Sequence, residues 1–554
     1  MLKKGLRFLL FVLLLAVAAV AGYWFLGSGG PSRQAYAFIP PDFVYLVESD
    51  EPVPDWQGVS NSEVWKYLKK SPWFGEITSS ADYLDSLLNY NPTLTQFAKL
   101  GTMVISAHMV NSQTYDFLIA VDLRGDKGPK LQPLLGTLFK SIGYKVKEES
   151  YFNVNIYNLT DAATNETLSL AMVNNVLVAS YNLELLKRGI AQSEQPSVID
   201  QADLVKVRNA ISRSNLYSVY INYATFERLL RSYTAETPEM LSGLEEILTF
   251  SGMDLQMKDY VDLNGVTHPI DSAASFLNVF HQTGKGEIEV QNVLPNNTAM
   301  YASVGASDFG DLYARYKTFL QTQNPKAYRD FEKNEKRVDR LLKIEMERDF
   351  FSWLTEEVVT ATVPFEEAGE SYAYFALLHF DDLATAQERL DYIAKRIGKT
   401  PFKFESMEYQ GYTIRYLEVK GLFSVFFKKL FNKIERPHYA IVDDYVVFSN
   451  DTSSLMMLID KYLADEVLAR EKDHMDFRRE FSSSSNVFAC IRPKYLLGSI
   501  LSELDSEARR DLLKNRNYLL AFPDAGFQMY PEGEMFRTRL FAPFKPVSPG
   551  SPSR

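Results

Sequence analysis

A single cysteine, Cys490, in 554 residues excludes an intrachain disulfide and any site built from two or more thiolates of one chain. Histidine is scarce, with six in all: His108, His268, His281, His379, His438 and His474. Positive charge is in deficit. The 59 Lys and Arg against 70 Asp and Glu leave a net charge of −11, so no overall basic field steers a nucleic acid to the chain. There is no Walker loop, Gly-x-Gly-x-x-Gly turn, Gly-x-Ser-x-Gly elbow or His-Glu-x-x-His helix, which lowers the weight of several large enzyme classes. After the first 30 residues no long apolar run is free of charge.

What is present is core material. The chain is 46% apolar and 13% aromatic, and its length calls for more than one domain. Lys3, Lys4 and Arg7 precede the uncharged run 8–26. As a helix this run rises about 28 Å, one hydrocarbon thickness. Residues 1–30 therefore read as a cytoplasmic stub and transmembrane anchor, with Tyr23 and Trp24 at the far interface. The competing reading is a signal peptide cleaved after Ala19-Val20-Ala21, but the apolar run continues past that point. A large ectodomain with one cysteine suits a bacterial periplasm, so the expected location is the inner membrane, N-terminus inside. Residues 546–554, rich in Pro and Ser, are expected to be a disordered tail.

The chain reads twice. Residues 39–47 and 294–303 open strands with the same proline-then-strand grammar, 255 positions apart. Residues 100–106 match 354–360 at a displacement of 254, 117–123 match 375–381 at 258, and 151–156 match 409–414 at 258. Residues 171–180 and 440–449 are each strand, polar pair, strand, with Asn174-Asn175 and Asp443-Asp444 at the turns, displaced by 269. Residues 215–221 match 486–492 at 271. Displacements that climb slowly in one direction are what a tandem duplication with insertions leaves. The copies are placed at 31–290 and 291–545. Polar pairs between β-branched runs predict hairpins. Helical periodicity falls at 183–191, 202–212, 225–232, 453–463 and 495–513, and strands at 286–293 and 533–541 close the copies. The expected class is α+β: a transmembrane helix, then two homologous domains of largely antiparallel sheet with packed helices. The charge-dense stretch 318–350 predicts an exposed helix or helix pair.

Taken together, the anchor, the Pro40-Pro41-Asp42 strand opening, Trp65-Lys-Tyr-Leu, the 100–105 strand and the 173–180 hairpin resemble a known group. They look like the bacterial membrane-anchored family grouped as domain of unknown function 3352. The resemblance implies an envelope protein and supplies no catalytic residues.

Candidate chemistry is sparse. His379 and Asp381 share a strand face and with Asp382 form the nearest thing to a ligand set, but Asp382 also suits a helix start. Asp473-His474-Met475-Asp476 reads as a solvated turn, Glu356-Glu357 and Glu366-Glu367 as solvated strand ends, and Cys490 as a buried small residue. No catalytic, cofactor or metal set is expected. The feature that stands out is 421–435, in the interval where the second copy is longer. Phe423, Phe426, Phe427, Leu430, Phe431 and Ile434 fall in an arc of roughly 140°, with Lys428, Lys429 and Lys433 outside it. That pattern suits contact with a bilayer or partner, or an extra helix packed on its own sheet. Trp56, Trp65 and Trp73, near Lys66, Lys69 and Lys70, read as core of a first helix or as an interfacial anchor. The expected function is a non-enzymatic, single-pass envelope scaffold that binds another envelope protein. The alternative is a carrier or sensor of an apolar, lipid-like ligand with the 423–434 helix as lid.

Overall fold

Backbone in the left-handed region marks the tight turns on which the sheets are built. In the computed structural model φ is positive at Phe152 and Asn153 (51° and 60°), Asn174 (52°), Gln410 and Gly411 (46° and 85°) and Asp443 (54°). Each of these turns joins two strands through two residues, the geometry whose twist matches that of the strands. Across them Tyr151 faces Val154, Val173 faces Val176, Tyr409 faces Tyr412 and Val442 faces Tyr445. The structure describes residues 34–71, 101–123, 145–161, 165–213, 216–231, 244–270, 276–342, 344–366, 371–397, 404–417, 433–434, 437–504 and 506–546. Among these, no helix is long and apolar enough to cross a membrane, and the apolar run 8–26 lies outside them.

The chain divides into two units, residues up to His268 and residues from Pro269. The first runs β1 (Tyr45–Ser49), α1 (Pro52–Ser60), α2 (Glu63–Leu68), β2 (Met103–Met109), β3 (Tyr115–Asp122), β4 (Lys145–Tyr151), β5 (Val154–Thr160), β6 (Thr167–Val173), β7 (Val176–Ser180), α3 (Leu183–Gln192), α4 (Ala202–Ala210), β8 (Tyr217–Asn222), α5 (Tyr223–Arg231), β9 (Leu248–Met257) and β10 (Tyr260–Pro269). Its strands pair in the order β4-β5-β6-β7-β3-β2-β1-β8-β9-β10. Ile105, Val121, Leu159, Leu170 and Leu177 form the centre of an apolar cluster on this sheet.

The second unit contains α6 (Phe280–Thr283), β11 (Gly286–Glu287), β12 (Met300–Gly305), α7 (Phe309–Gln323), α8 (Pro325–Leu342), α9 (Met346–Asp349), β13 (Glu357–Pro364), β14 (Tyr372–His379), α10 (Leu383–Ile397), β15 (Phe404–Tyr409), β16 (Tyr412–Leu417), β17 (His438–Val442), β18 (Tyr445–Ser449), α11 (Thr452–Leu463), α12 (Lys472–Arg478), β19 (Ser484–Ser485), β20 (Val487–Ile491), α13 (Pro493–Glu503), α14 (Ser506–Leu520), β21 (Ala525–Glu532) and β22 (Met535–Pro543). Its strand order is β15-β16-β17-β18-β14-β13-β12-β20-β21-β22, with β11 paired to β19 apart from the main sheet. Helices and 3-10 turns bring Phe309, Phe351 and Trp353, and the end of β14 brings Phe380, into one apolar cluster with Val358, Leu378 and Phe448 of the sheet. The class is α+β with antiparallel pairing.

The strand order of the first unit recurs in the second, and so does the register. Tyr45 faces Ala107 as Met300 faces Thr362, both partners displaced by 255. Met109 faces Tyr115 as Pro364 faces Tyr372, which places β3 and β14 at 257. Tyr45 faces Ile221 as Met300 faces Ile491, which places β8 and β20 at 270. The sequence matches at 254, 258 and 271 for these strands are each one residue off. A slip of one exchanges the two faces of a strand, and short apolar runs carry too little alternation to reveal it.

Other expectations are also redrawn. The periodic stretch 495–513 is two helices, α13 and α14, because Leu504 turns extended (φ −88°, ψ 145°), and Pro493 starts the first of them. The charge-dense stretch is the pair α7 and α8. Residues 286–293 are a two-residue strand and a 3-10 turn at Val290–Asn292. The reason is a carboxylate: the backbone N–H groups of Glu289 and Val290 donate to Glu357 rather than to a neighbouring strand. This segment pairs within the second unit, and the contact boundary falls at His268/Pro269.

One close approach in the first unit is directly testable. A Cβ on Gly265 would lie 1.9 Å from the Gly252 carbonyl oxygen of the adjacent strand. Gly265→Ala is therefore expected to cost about 1–3 kcal/mol, read as a lower denaturant midpoint; an unchanged midpoint would contradict the pairing of β9 with β10.

Candidate functional site

The richest set of reactive side chains lies inside the second unit, on three elements. Helix α12 places His474, Phe477 and Arg478 on one buried face, leaving Asp473 and Asp476 exposed. The solvated-turn reading of this segment is thus corrected, and its i, i+3, i+4 spacing was the available signal. His474 Nδ1 lies 2.9 Å from Asp524 Oδ1, and its Nε2 lies 3.3 Å from the Tyr301 hydroxyl. Cys490 Sγ approaches the same Asp524 oxygen at 3.9 Å, and Arg492 Nε is 3.2 Å from it. Arg492 is also paired with Glu471 at 2.5 Å. His474 and Cys490 have no exposed surface.

This geometry is inert as drawn. Burial, and then the charge of Asp524, push the Cys490 thiol well above its usual range, with Arg492 and Arg478 opposing. The sulfur therefore stays protonated, and the imidazole nitrogen that would act as its base is turned to Tyr301. The ligating atoms of His474, Cys490 and Asp524 lie within 4.8 Å of one another, close enough for one cation. The Arg492 guanidinium already sits on the Asp524 oxygen that such a cation would need, so the residues do not fit a metal centre.

Glu357 is not solvated. It has no exposed surface. Its Oε1 accepts from the backbone of Glu289 and Val290, both at 2.7 Å, and from the Tyr445 hydroxyl at 2.5 Å, while Oε2 accepts from Ser303 at 2.6 Å. Burial pushes its pKa up, and these four donors work against the shift. Its neighbour Glu356 accepts from the Glu287 N–H at 2.6 Å.

The first unit holds two polar clusters that sequence reasoning missed, one running from buried Ser106 and His108 out to the exposed pair Asp42 and Arg188, the other buried throughout. Ser106 and His108, two apart on β2, share a face. His108 Nε2 lies 2.8 Å from Ser106 Oγ and Nδ1 lies 3.2 Å from Asp42, whose carboxylate also takes both bonds of Arg188 at 2.6 Å. His108 and Arg188 hold the Asp42 carboxyl below its usual range, and burial lowers His108. With Asp42 ionised, Nδ1 carries the proton and Nε2 accepts from the serine hydroxyl. That is the connectivity of a hydrolase relay, but Ser106 has no exposed surface for an acyl group to reach. The second cluster is a buried ion pair: Arg208 to Glu48 at 2.6 Å, with the Tyr220 hydroxyl on the other carboxylate oxygen at 2.8 Å and the guanidinium 4.8 Å over the Tyr36 ring.

The remaining candidates fall as follows. Lys3, Lys4, Arg7, Tyr23, Trp24, Trp73, Phe423, Phe426, Phe427, Lys428, Lys429, Leu430 and Phe431 lie outside the described residues. Ile434 is buried in the second unit's core beside Tyr439 and Phe448, and Lys433 Nζ lies 4.5 Å over the Tyr374 ring. His379 is a buried sheet residue bonded to Thr355 at 2.9 Å, and Asp382 starts α10 by accepting from the Ala384 N–H and Thr385. Trp56 and Trp65 meet edge to face at 5.4 Å, each half-buried. An open groove of about 550 Å³ at the start of α7 is lined by Asp308, Asp311, Glu345, Glu347, Arg348 and Ser352, so it is acidic rather than apolar.

A profile of the family described as protein of unknown function (DUF3352) matches residues 72–403. The chain belongs to that family. The DUF3352 match runs from the end of the first helices through α10, and so spans parts of both units. No curated protein and no solved structure matches the chain.

Two outcomes follow from the sealed clusters. The Cys490 thiol should resist a water-soluble disulfide reagent in the native protein and react once denatured, and a fluorophosphonate should leave Ser106 unlabelled; native reaction at either atom would contradict the burial. Arg208→Ala should cost about 3–5 kcal/mol by stranding Glu48, whereas Glu48→Met combined with Arg208→Met recovers most of that loss. Equal melting of the single variant and the wild type would show that the pair is not buried.

Proposed function

We propose that this DUF3352 protein is a single-helix-tethered bacterial envelope protein whose duplicated ectodomain acts as a non-enzymatic interaction module. The observation that carries the non-enzymatic reading is that Ser106, His108, His474 and Cys490, the side chains best suited to catalysis, all have no exposed surface. His474 and Cys490 both meet the buried Asp524, and His108 covers Ser106 while its other nitrogen meets the exposed Asp42. The duplication is supported by the shared strand order and by registers displaced by 255 in β1 and β2 against β12 and β13. The tether is supported by the cationic start and the apolar run 8–26.

The carrier alternative needs an apolar cavity beneath 423–434, of which residues 423–432 lie outside the described residues. The groove at Asp308 has the wrong chemistry for it. The binding role is examined by photocrosslinking the native protein in its membrane and identifying what travels with it. One envelope protein should recur, and its yield should fall with Phe426→Ser and Phe427→Ser. The tether is examined by carbonate extraction: the chain should stay in the membrane fraction with an intact N-terminus. Release by carbonate, or a mature chain starting near Gly22, would overturn the anchor.

A further inference from the structure

Helix α8 carries six cations: Lys326, Arg329, Lys333, Lys336, Arg337 and Arg340. At 100° per residue all six fall within an arc of about 100°, and every one is exposed. The opposite side is fixed to α7, where the Phe331 ring lies 5.8 Å from that of Tyr313, and buried Glu335 accepts from the Tyr313 hydroxyl at 2.7 Å and from Lys317 at 3.0 Å. The basic face is thus held outward by packing. Among the described residues only Lys336 of the six has an ion-pair partner, Glu332 at 2.8 Å. Six like charges on one stripe repel one another in the absence of an anion, and a helix adjusted only for solubility intersperses acids among its bases.

We infer that this face of α8 docks on the anionic phosphates of a lipid bilayer surface. The row from Lys326 to Arg340 is straight and about 20 Å long, which suits a planar array of phosphates. A protein interface would be expected to have an apolar or aromatic centre, and the arc contains none. The inference goes beyond the proposed tether and stands without it.

The test uses the full chain with nanodiscs of phosphatidylcholine and with nanodiscs that also contain phosphatidylglycerol. Acylation of Lys326 and Lys333 by an impermeant reagent is read peptide by peptide. Both lysines should be several-fold slower to react on the anionic discs, and the protection should vanish in high salt. Changing Arg329→Gln, Arg337→Gln and Arg340→Gln keeps both reporters. At about fivefold per charge, it should weaken the apparent affinity for anionic discs about a hundredfold. Glu332→Gln should act in the opposite direction by removing the neighbouring acid. Equal acylation on the two discs, protection that survives the three Arg→Gln changes, or protection by an oligonucleotide or acidic peptide in place of the anionic discs would each overturn the inference. Retention of the chain in phosphatidylcholine discs at high salt reports on the tether alone, so the two readings fail separately.

Discussion

A carboxylate taken out of water inside a sheet must be met on nearly every lone pair, and much of this structure is arranged around that constraint. In the first unit Glu48 projects from β1 and is answered by Arg208 of α4 and Tyr220 of β8. In the second, Glu357 projects from β13 and is answered by two backbone amides, Ser303 of β12 and Tyr445 of β18. Either way one buried acid ties together elements far apart in sequence. The second solution also dictates local structure, since amides committed to Glu357 are lost to strand pairing and the chain from Glu289 turns.

The polar groups of this molecule fall into buried clusters bonded among themselves and surface groups segregated by sign. Inside, imidazole, thiol and hydroxyl groups occur in combinations that would be reactive if open to water, but they are shut off from it. Outside, the acidic groove at Asp308 and the basic face of α8 belong to the same unit and carry opposite signs. The two signs are thus segregated on the surface of a chain whose net charge is −11.

Local rules were legible and long-range ones were not. The hairpins at Asn174-Asn175 and Asp443-Asp444 were readable because turn chemistry sits in adjacent residues. The helical face of α12 was readable in principle but masked by the charges around His474. Glu357 looked like a strand end because its four donors come from residues 54 to 88 positions away. The His108 chain was half visible: Ser106 and His108 have strand spacing, but Arg188, which completes it through Asp42, comes from a helix 146 positions beyond that acid. Registers fall in the same category, since a match between short apolar segments does not say which face each residue takes.

The position of β1 has a consequence for the order of events during synthesis. It lies between β2 and β8, although it is the earliest strand in sequence among the described residues. The meander β4 to β7 can pair as soon as its residues emerge, each strand with its predecessor. β1 must wait until Asn222 is made before both of its neighbours exist, with Leu46 and Val47 unpaired on at least one side meanwhile. The nascent chain therefore carries an apolar strand that needs protection from other chains for nearly the whole length of the first unit, and β12, waiting for β20, meets the same delay in the second.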